Sequence, residues 1–467
     1  MSTALVLGGG LAGLLAAAAL GPHVRSVTVV EQDVLPGGPQ PRRGLPQGDF
    51  SHILLGGGAD ALDALLPGTV EALLAAGAHR RRLPSGLLMR LGPGWLQGFD
   101  STAYLIACSR HLLDHTVRQQ LRGRAGVTIR EGTSVLGLVG DAGQVGGALV
   151  ENPDGSRESL PADLVVDATG RRSQAPRWLR DLGFDGPREE TVDAGLAYAA
   201  RLFDAPGGNR DFPVVSIVPV PGRRRPGRGA TIIPIENDRW IITLSGTRAG
   251  EPSRTESEFH TFLKTLDHPV VHDLARTARP IGPIRTCHGT LNRRRAYENG
   301  APAGFAATGD AVAALNPVYG HGMAVAAQCA VAIRTALDTE GLHPQVGAAI
   351  QRRITRVLDT PWSMAKEQDR GFPGARSSHP AAAGPATRLT RWYTDRLLRA
   401  ALTDPTAAAA YFDVFSLAAP AARLTAPSVA LAALRPRRAD PLTVAEAIAR
   451  FSRVAELVGP PRPPGQG

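Results

Sequence analysis

Leu5-Val6-Leu7 is a short apolar run that ends on three consecutive glycines, and a second, alanine-rich run, Leu11–Leu20, begins at once behind them. The first has the length and continuity of a buried strand, the second the length of a helix. Val27-Thr28-Val29-Val30 reads as another strand and ends at Glu31. Residues 59–77 carry apolar positions at helical spacing with a break near Pro67-Gly68, and residues 83–100 read as a short hairpin pair. Ser109 stands at the N-cap position of a helix that opens with Arg110 and continues through His111-Leu112-Leu113-Asp114-His115-Thr116-Val117. Val127-Thr128-Ile129, Ser134–Val139 and Gly147–Val150 alternate as a β-meander, with Asp154-Gly155 as a hairpin turn. Asp163-Leu164-Val165-Val166-Asp167-Ala168-Thr169-Gly170 is a buried-strand run that ends in a small-residue loop.

The second half changes character. From about 190 to 282 the pattern predicts strands at Leu196–Phe203, Val214–Val220, Thr231–Glu236 and Trp240–Ser245, interrupted by a helix around Glu256–Leu266. This reads as an antiparallel sheet, one face of which roofs a substrate pocket. Gly304–Ala307 begins another apolar strand that delivers Thr308-Gly309-Asp310-Ala311. After Asn316-Pro317-Val318-Tyr319-Gly320-His321-Gly322-Met323 comes a long alanine-rich helix, to about 338. Residues 345–458 are mostly helical, with a Pro/Gly/Ser linker near 371–386, and 459–467 form a tail whose composition predicts disorder.

Gly8, Gly10 and Gly13 fit G-x-G-x-x-G at a strand-to-helix turn. The first glycine permits the turn, the second lets backbone approach a pyrophosphate, and the third lets helix pack on strand. The helix end then offers free N–H groups and a positive dipole to phosphate. Glu31 falls near the distance expected of a carboxylate that takes a ribose hydroxyl. The expected fold class is therefore α/β: a Rossmann-type dinucleotide domain, an inserted antiparallel β-sheet domain, and a helical C-terminal region. Segments 1–75, 106–180 and 283–344 would build the first, 76–105 and 181–282 the second, and 345–458 the third. The glycines of Gly143–Gly147 are turn residues, since no long helix follows them, so no separate nicotinamide domain is predicted.

Composition narrows the reading. The chain has 467 residues, 52 basic against 42 acidic, and Lys264 and Lys366 are its only lysines. The basic clusters Arg80–Arg82, Arg223–Arg225 and Arg293–Arg295 fall in expected loops with few aromatic neighbours, so a field that attracts anionic ligands is favoured over nucleic-acid binding. No apolar stretch is long enough for a membrane span, and residues 4–20 lack the basic flank of a secretion signal. Cys108, Cys287 and Cys329 share no metal-ligand spacing, which predicts no metal site and a reducing, cytoplasmic setting.

The order of glycine loop, Glu31, Arg110, the Asp167–Gly170 loop and Gly309-Asp310 resembles the single-component FAD monooxygenases of the para-hydroxybenzoate hydroxylase superfamily. Arg43-Gly44-Leu45-Pro46-Gln47, Ala107–Leu113, Gly309-Asp310-Ala311 and Asn316–Met323 resemble one branch more closely. That branch holds the flavin epoxidases of bacterial polyether biosynthesis, themselves similar to squalene epoxidase. The likeness extends to Arg239-Trp240-Ile241, Ser245-Gly246-Thr247-Arg248 and Gly371-Phe372-Pro373-Gly374.

The resemblance implies that Gly8, Gly10, Gly13 and Glu31 hold the ADP half of FAD. Arg110 would reach its phosphates or ribityl chain, and Asp310 would bond a ribityl hydroxyl. Val135 and Met323 are implied as further cofactor contacts. Arg43, Gln47, Pro317, Gly320, His321 and Gly322 would lie near the isoalloxazine, with Pro317 and the glycines of Asn316–Gly322 at a helix start offering N–H groups to the reduced ring's negative edge. His321 has the alternative of only filling the loop, and no acid–base role is assigned to it. Read without the resemblance, Asp310 also suits a helix N-cap and Arg110 a surface ion pair. The implied activity is epoxidation of a large apolar polyketide or terpenoid by a flavin C4a-hydroperoxide, with electrons from NAD(P)H or a separate flavin reductase, and with O₂. No residue is assigned as a certain catalyst. Thr169-Gly170 replaces the Asp-Gly of many aromatic hydroxylases and weakens the case for direct NAD(P)H use. Alternatives are a hydroxylase of an aromatic or polyketide substrate, and a flavoprotein reductase or cyclase of isoprenoid metabolism. A flavin halogenase would need an early lysine and a Trp-x-Trp-x-Ile-Pro segment, and this chain has neither.

Overall fold

Five strands pair in parallel, in the spatial order Phe305–Ala307, Leu164–Asp167, Thr3–Leu7, Ser26–Val30 and Val127–Arg130. The computed structural model describes residues 2–92, 94–222, 225–379, 384–435 and 440–459. Thr3–Leu7, Leu164–Asp167 and Phe305–Ala307 are near-continuous buried runs because both faces of the sheet are covered there, whereas the edge strand Val127–Arg130 is not buried. The helix Leu11–Leu20 buries every residue except Ala12. It packs against the long helix Gly322–Glu340.

Val127–Arg130, expected to open the meander, is the edge strand of this parallel sheet instead. It follows the helix Arg110–Arg122, which returns the chain to the sheet parallel to Ser26–Val30. The meander itself is Ser134–Gly140, Val145–Glu151 and Arg157–Pro161.

The antiparallel sheet is larger than its sequence pattern suggests. Arg188–Asp204 lies between Arg279–Ala296 and Arg239–Gly246. The sheet then continues through Arg228–Ile235 and Val214–Ile217 to Leu87–Leu91. Arg279–Ala296 was not anticipated, because its exposed, arginine-rich face hides the period of a strand. It runs without a break across the boundary placed at residue 283. Two of the arginine clusters expected in loops are on strands, Arg80–Arg82 on His79–Arg82 and Arg293–Arg295 on Arg279–Ala296. Arg223 and Arg224 of the third lie outside the described residues.

The helix Glu256–Lys264 and an unforeseen one, Val270–Thr277, cover one face of this sheet, with Phe259, Phe262, Leu263 and Leu274 set against Phe203, Trp240 and Leu244. Burial of each such side chain is worth about 1.5–3 kcal/mol. On the other face Leu196, Tyr198, Ala200, Ile233 and Ile241 join the core of the parallel-sheet region. The C-terminal region is helical, beginning with Val346–Arg370. Within the expected linker, Arg376-Ser377 pairs with Val192 and Asp193. The tail predicted to be disordered lies, beyond residue 459, outside the described residues. Among the described residues no helix is long and apolar enough to cross a membrane.

Candidate functional site

The three motif glycines separate into two kinds. Gly8 has φ +99°, and a Cβ there would stand 2.8 Å from the Ala168 carbonyl oxygen. A Cβ on Gly13 would stand 1.9 Å from the Gly8 oxygen, so only glycine lets the helix lie this close to the strand. Gly10 answers to neither demand. Its φ of −74° and ψ of 178° suit any residue, and its Cβ would meet nothing within 4 Å. The fold leaves open space in front of a helix N-terminus, as a pyrophosphate requires.

Glu31 is buried beside this turn. Its Oε2 accepts the Gly9 N–H at 2.8 Å and its Oε1 accepts that of Asp33 at 2.9 Å. Thr133 donates its N–H to the Glu31 carbonyl at 2.9 Å, which brings the half-buried Val135 strand alongside. Arg42, not Arg43, completes the cluster. Its guanidinium lies 3.4 Å from Glu31, 3.2 Å from Asp33 and 3.4 Å from Asp114, and it donates to the Gly9 carbonyl at 3.2 Å. Burial opposes the Arg42 charge, but Asp114 and Glu31 outweigh it and raise its pKa. Arg43 and Gln47 are exposed on the same loop. Two adjacent arginines look alike in sequence; only burial tells them apart.

Ser109 caps its helix as expected, its Oγ accepting from the Leu112 N–H at 3.0 Å, and this sets Arg110 in the first turn. Arg110 is 8% exposed, and its Nε is buried with no partner. Asp310 follows Gly309, whose φ of +58° and close approach to Ala12 press the loop onto the first turn of Leu11–Leu20. Among the described residues none donates a hydrogen bond to the Asp310 carboxylate. Burial raises its pKa, while Arg171, Arg110 and Arg293 pull it back. Asp310 is therefore not an N-cap, and Arg110 is not a surface ion pair. Arg110 is buried and Asp310 half-buried, and beside the glycine turn the protein leaves Arg110 Nε and the Asp310 carboxylate without hydrogen bonds. A cofactor with a pyrophosphate and a polyhydroxyl chain fits that donor and acceptor set.

The Asn316–Gly322 segment makes one tight helical turn at Pro317–Tyr319. It then bends through Gly320 at φ +70° and starts the helix Gly322–Glu340. Gly320 packs against Ile53, Pro317 and Gly322 are exposed, and Met323 is buried. The first N–H groups of this helix have no intrahelical acceptor. His321 is buried and turned onto Phe415. Its Nε2 lies 3.0 Å from the Phe415 carbonyl oxygen, its ring packs on that of Phe415, and burial pushes its pKa down to about 4.

Two further features were not foreseen. His52 bonds the Phe50 carbonyl through Nδ1 at 2.8 Å, and burial together with Arg110 pushes its pKa down to about 3, so a neutral imidazole stands next to Arg110. In the Asp167–Gly170 loop, the Thr169 hydroxyl and N–H donate to Asp167 Oδ1 at 2.6 and 2.9 Å. Arg171 donates to the carbonyls of Leu291 and Leu315 at 2.6 and 2.8 Å, tying that loop to the segment ahead of Asn316.

The family described as FAD binding domain matches residues 94–340. Protein Rv3254 of Mycobacterium tuberculosis is 31% identical over 437 residues, which cover 89% of each chain. Among solved structures, p-nitrophenol 4-monooxygenase PnpA from Pseudomonas putida DLL-E4 superposes with a TM-score of 0.61 at 19% identity, over 89% of this chain and 99% of the other. The myxobacterial chondrochloren halogenase CndH does so with a TM-score of 0.61 at 16% identity, over 98% and 97%. At these identities the likeness to solved structures is one of fold.

Proposed function

This chain belongs to the FAD binding domain family, and we propose that it is an FAD-dependent monooxygenase that epoxidises carbon–carbon double bonds of a large apolar polyketide or terpenoid. The observation that carries the reading is the buried Arg110 Nε, which has no hydrogen-bond partner, together with the half-buried Asp310 carboxylate, which accepts no hydrogen bond among the described residues, beside the open space over Gly10. Bound and reduced, FAD supplies the activation of O₂. The chain supplies the rest. Gly8, Gly10 and the Leu11–Leu20 N-terminus hold the pyrophosphate, and Glu31 takes the adenosine ribose. Arg110 and Asp310 would hold the ribityl-phosphate arm, and the N–H groups at Gly322 and Met323 would be available to negative charge on the reduced ring. Oxygen transfer to an alkene asks no base of the protein, so its task is to orient the double bond against the antiparallel sheet and keep water out.

Electrons would come from NAD(P)H or from a separate flavin reductase, and the unpaired cysteines suit a reducing cytoplasm. The halogenase likeness is met by the lysines. Lys264 is exposed at the end of the helix Glu256–Lys264, and Lys366 pairs with Glu190 at 3.4 Å. Hydroxylation of an aromatic or polyketide substrate is the second reading, since it uses the same cofactor arrangement. Reconstitution with FAD, reduction, and exposure to ¹⁸O₂ with an apolar polyene distinguishes them. Mass spectrometry should find a labelled epoxide. A labelled ring hydroxyl alone refutes the epoxidase reading, and protein that stays colourless with FAD refutes both.

A further inference from the structure

Asp369 lies near the end of the helix Val346–Arg370, far along the chain from every glycine-turn residue, and is fully buried. Its Oδ2 accepts from Asn292 Nδ2 at 2.7 Å and also from Asn316 Nδ2, while the Tyr319 hydroxyl bonds its Oδ1. Asn316 and Tyr319 bracket the turn that precedes Gly320 and Gly322. Two more bonds brace the same turn. Asn292 Oδ1 accepts the Asn316 N–H at 2.7 Å, and the Tyr198 hydroxyl oxygen accepts that of Val318 at 3.1 Å.

Beyond Asp369 the chain is lashed to the antiparallel sheet. The Gly371 carbonyl accepts the Gly222 N–H at 2.7 Å, and the Gly374 carbonyl accepts from Arg248 Nε at 3.2 Å. The Phe372 ring lies so close to Gly227 that a Cβ there would stand 2.4 Å from it. Arg376-Ser377 adds a short strand beside Val192 and Asp193. Asp369 thus occupies the junction between a segment bound to the sheet and the turn that leads into the Gly322 helix.

We propose that Asp369 is a positioning residue that holds the Asn316–Gly322 turn in register with the flavin and couples it to the 371–377 segment on the antiparallel sheet. The proposal rests on the reading of that turn as flavin-facing. Its charge state adds a second handle. The titratable groups around it are Tyr319 on the turn and Tyr198 and Asp193 on the strand Arg188–Asp204. Asp193 is paired with Arg248 at 2.8 Å, and the cations on its own helix, Lys366 and Arg370, are paired with Glu190. Burial pushes the carboxyl up to about 7, against the pull of the Tyr319, Asn316 and Asn292 hydrogen bonds. It therefore gains its charge near neutrality, beside the turn.

The test compares FAD-loaded wild type, Asp369→Asn and Asp369→Ala by the absorption spectrum of the bound flavin from about pH 5 to about pH 9, and by FAD titration. The asparagine keeps an acceptor for both amides and presents its own N–H₂ to Tyr319, so it mimics the neutral acid. Wild type should show a spectral transition near neutrality. Asp369→Asn should bind FAD within about threefold of wild type with no such transition, and Asp369→Ala should bind about tenfold or more weakly with a displaced spectrum. Three results overturn the proposal: a transition that persists in Asp369→Asn, an alanine variant with the wild-type spectrum and affinity, or one that is less stable yet spectrally unchanged. Wild type that takes up no FAD overturns the underlying reading, and the proposal with it. Wild type that turns yellow beside spectrally unaltered variants overturns the proposal alone.

Discussion

Gly10→Ala separates binding from folding at a single methyl group. The backbone at Gly10, φ −74° and ψ 178°, needs no adjustment for alanine, and the added Cβ meets no protein atom within 4 Å. Two small effects act on the apoprotein. Alanine restricts the unfolded chain, a gain of roughly 0.4–1 kcal/mol. It is also a poorer N-cap than glycine, a loss of roughly the same size. They offset, so the apoprotein should unfold within about 1 kcal/mol of wild type.

Bound cofactor meets a different surface. The methyl enters the space in front of the Leu11–Leu20 N-terminus and costs at least one hydrogen bond to charged phosphate, about 1.5–3 kcal/mol. That is roughly a 10- to 100-fold rise in Kd. Gly13→Ala is the control of opposite kind. Its Cβ would stand 1.9 Å from the Gly8 carbonyl oxygen, so the helix must lift off the strand and the apoprotein itself should lose several kcal/mol, on the order of 3. Urea unfolding of apoprotein and quenching of FAD fluorescence measure the two quantities independently. The reasoning fails if Gly10→Ala binds FAD like wild type, or if its apoprotein is as destabilised as that of Gly13→Ala.

Asp310→Ala removes a half-buried carboxylate that holds no hydrogen bond among the described residues, so apoprotein stability should stay level or rise while FAD affinity falls about tenfold or more; a large loss of apoprotein stability would show instead that the acid is structural. Arg42→Met leaves Glu31, Asp33 and Asp114 without their shared cation and should cost about 3–5 kcal/mol in urea unfolding, whereas Arg43→Met should cost under about 0.5. Equal effects would mean that the buried pairing does not matter. The Asp369 carboxyl rises from an ordinary 3.8 to about 7, so the stability linked to it is complete in acid and declines as pH climbs through about 7. At ~1.4 kcal/mol per pH unit the span is on the order of 4 kcal/mol. Wild type should lose stability relative to Asp369→Asn between acid and mildly alkaline pH, and parallel pH curves for the two would contradict the assignment.

Much of the cofactor turn was legible in the residues themselves. Strand, glycine turn and helix are adjacent in the chain, and their identity follows from run length, glycine spacing and capping, all of which act over a few residues. For the same reason Ser109 was readable as a cap, and Asp310 as an acid delivered by a strand end. What the chain's order could not supply was any choice among distant partners. Val127–Arg130 has the same alternation whether it opens a meander or closes the edge of a parallel sheet. Arg279–Ala296 has one arginine-rich exposed face and shows its strand character only beside Arg188–Asp204.

The same division runs through the site. Arg42 and Arg43 are chemically equal neighbours until folding buries one of them among three carboxylates. His321 looks like a loop residue beside a helix start until Phe415, nearly a hundred positions later, receives its ring. Asp369 sits in an ordinary amphipathic helix, and only the packed structure brings Asn292, Asn316 and Tyr319 to its oxygens. The sequence by itself determined where the glycine turn and the helix behind it form, because both are encoded within a few residues. Tertiary structure alone decided which polar side chains are buried, paired or left waiting, because burial and long-range electrostatics depend on segments that meet only when the chain has folded.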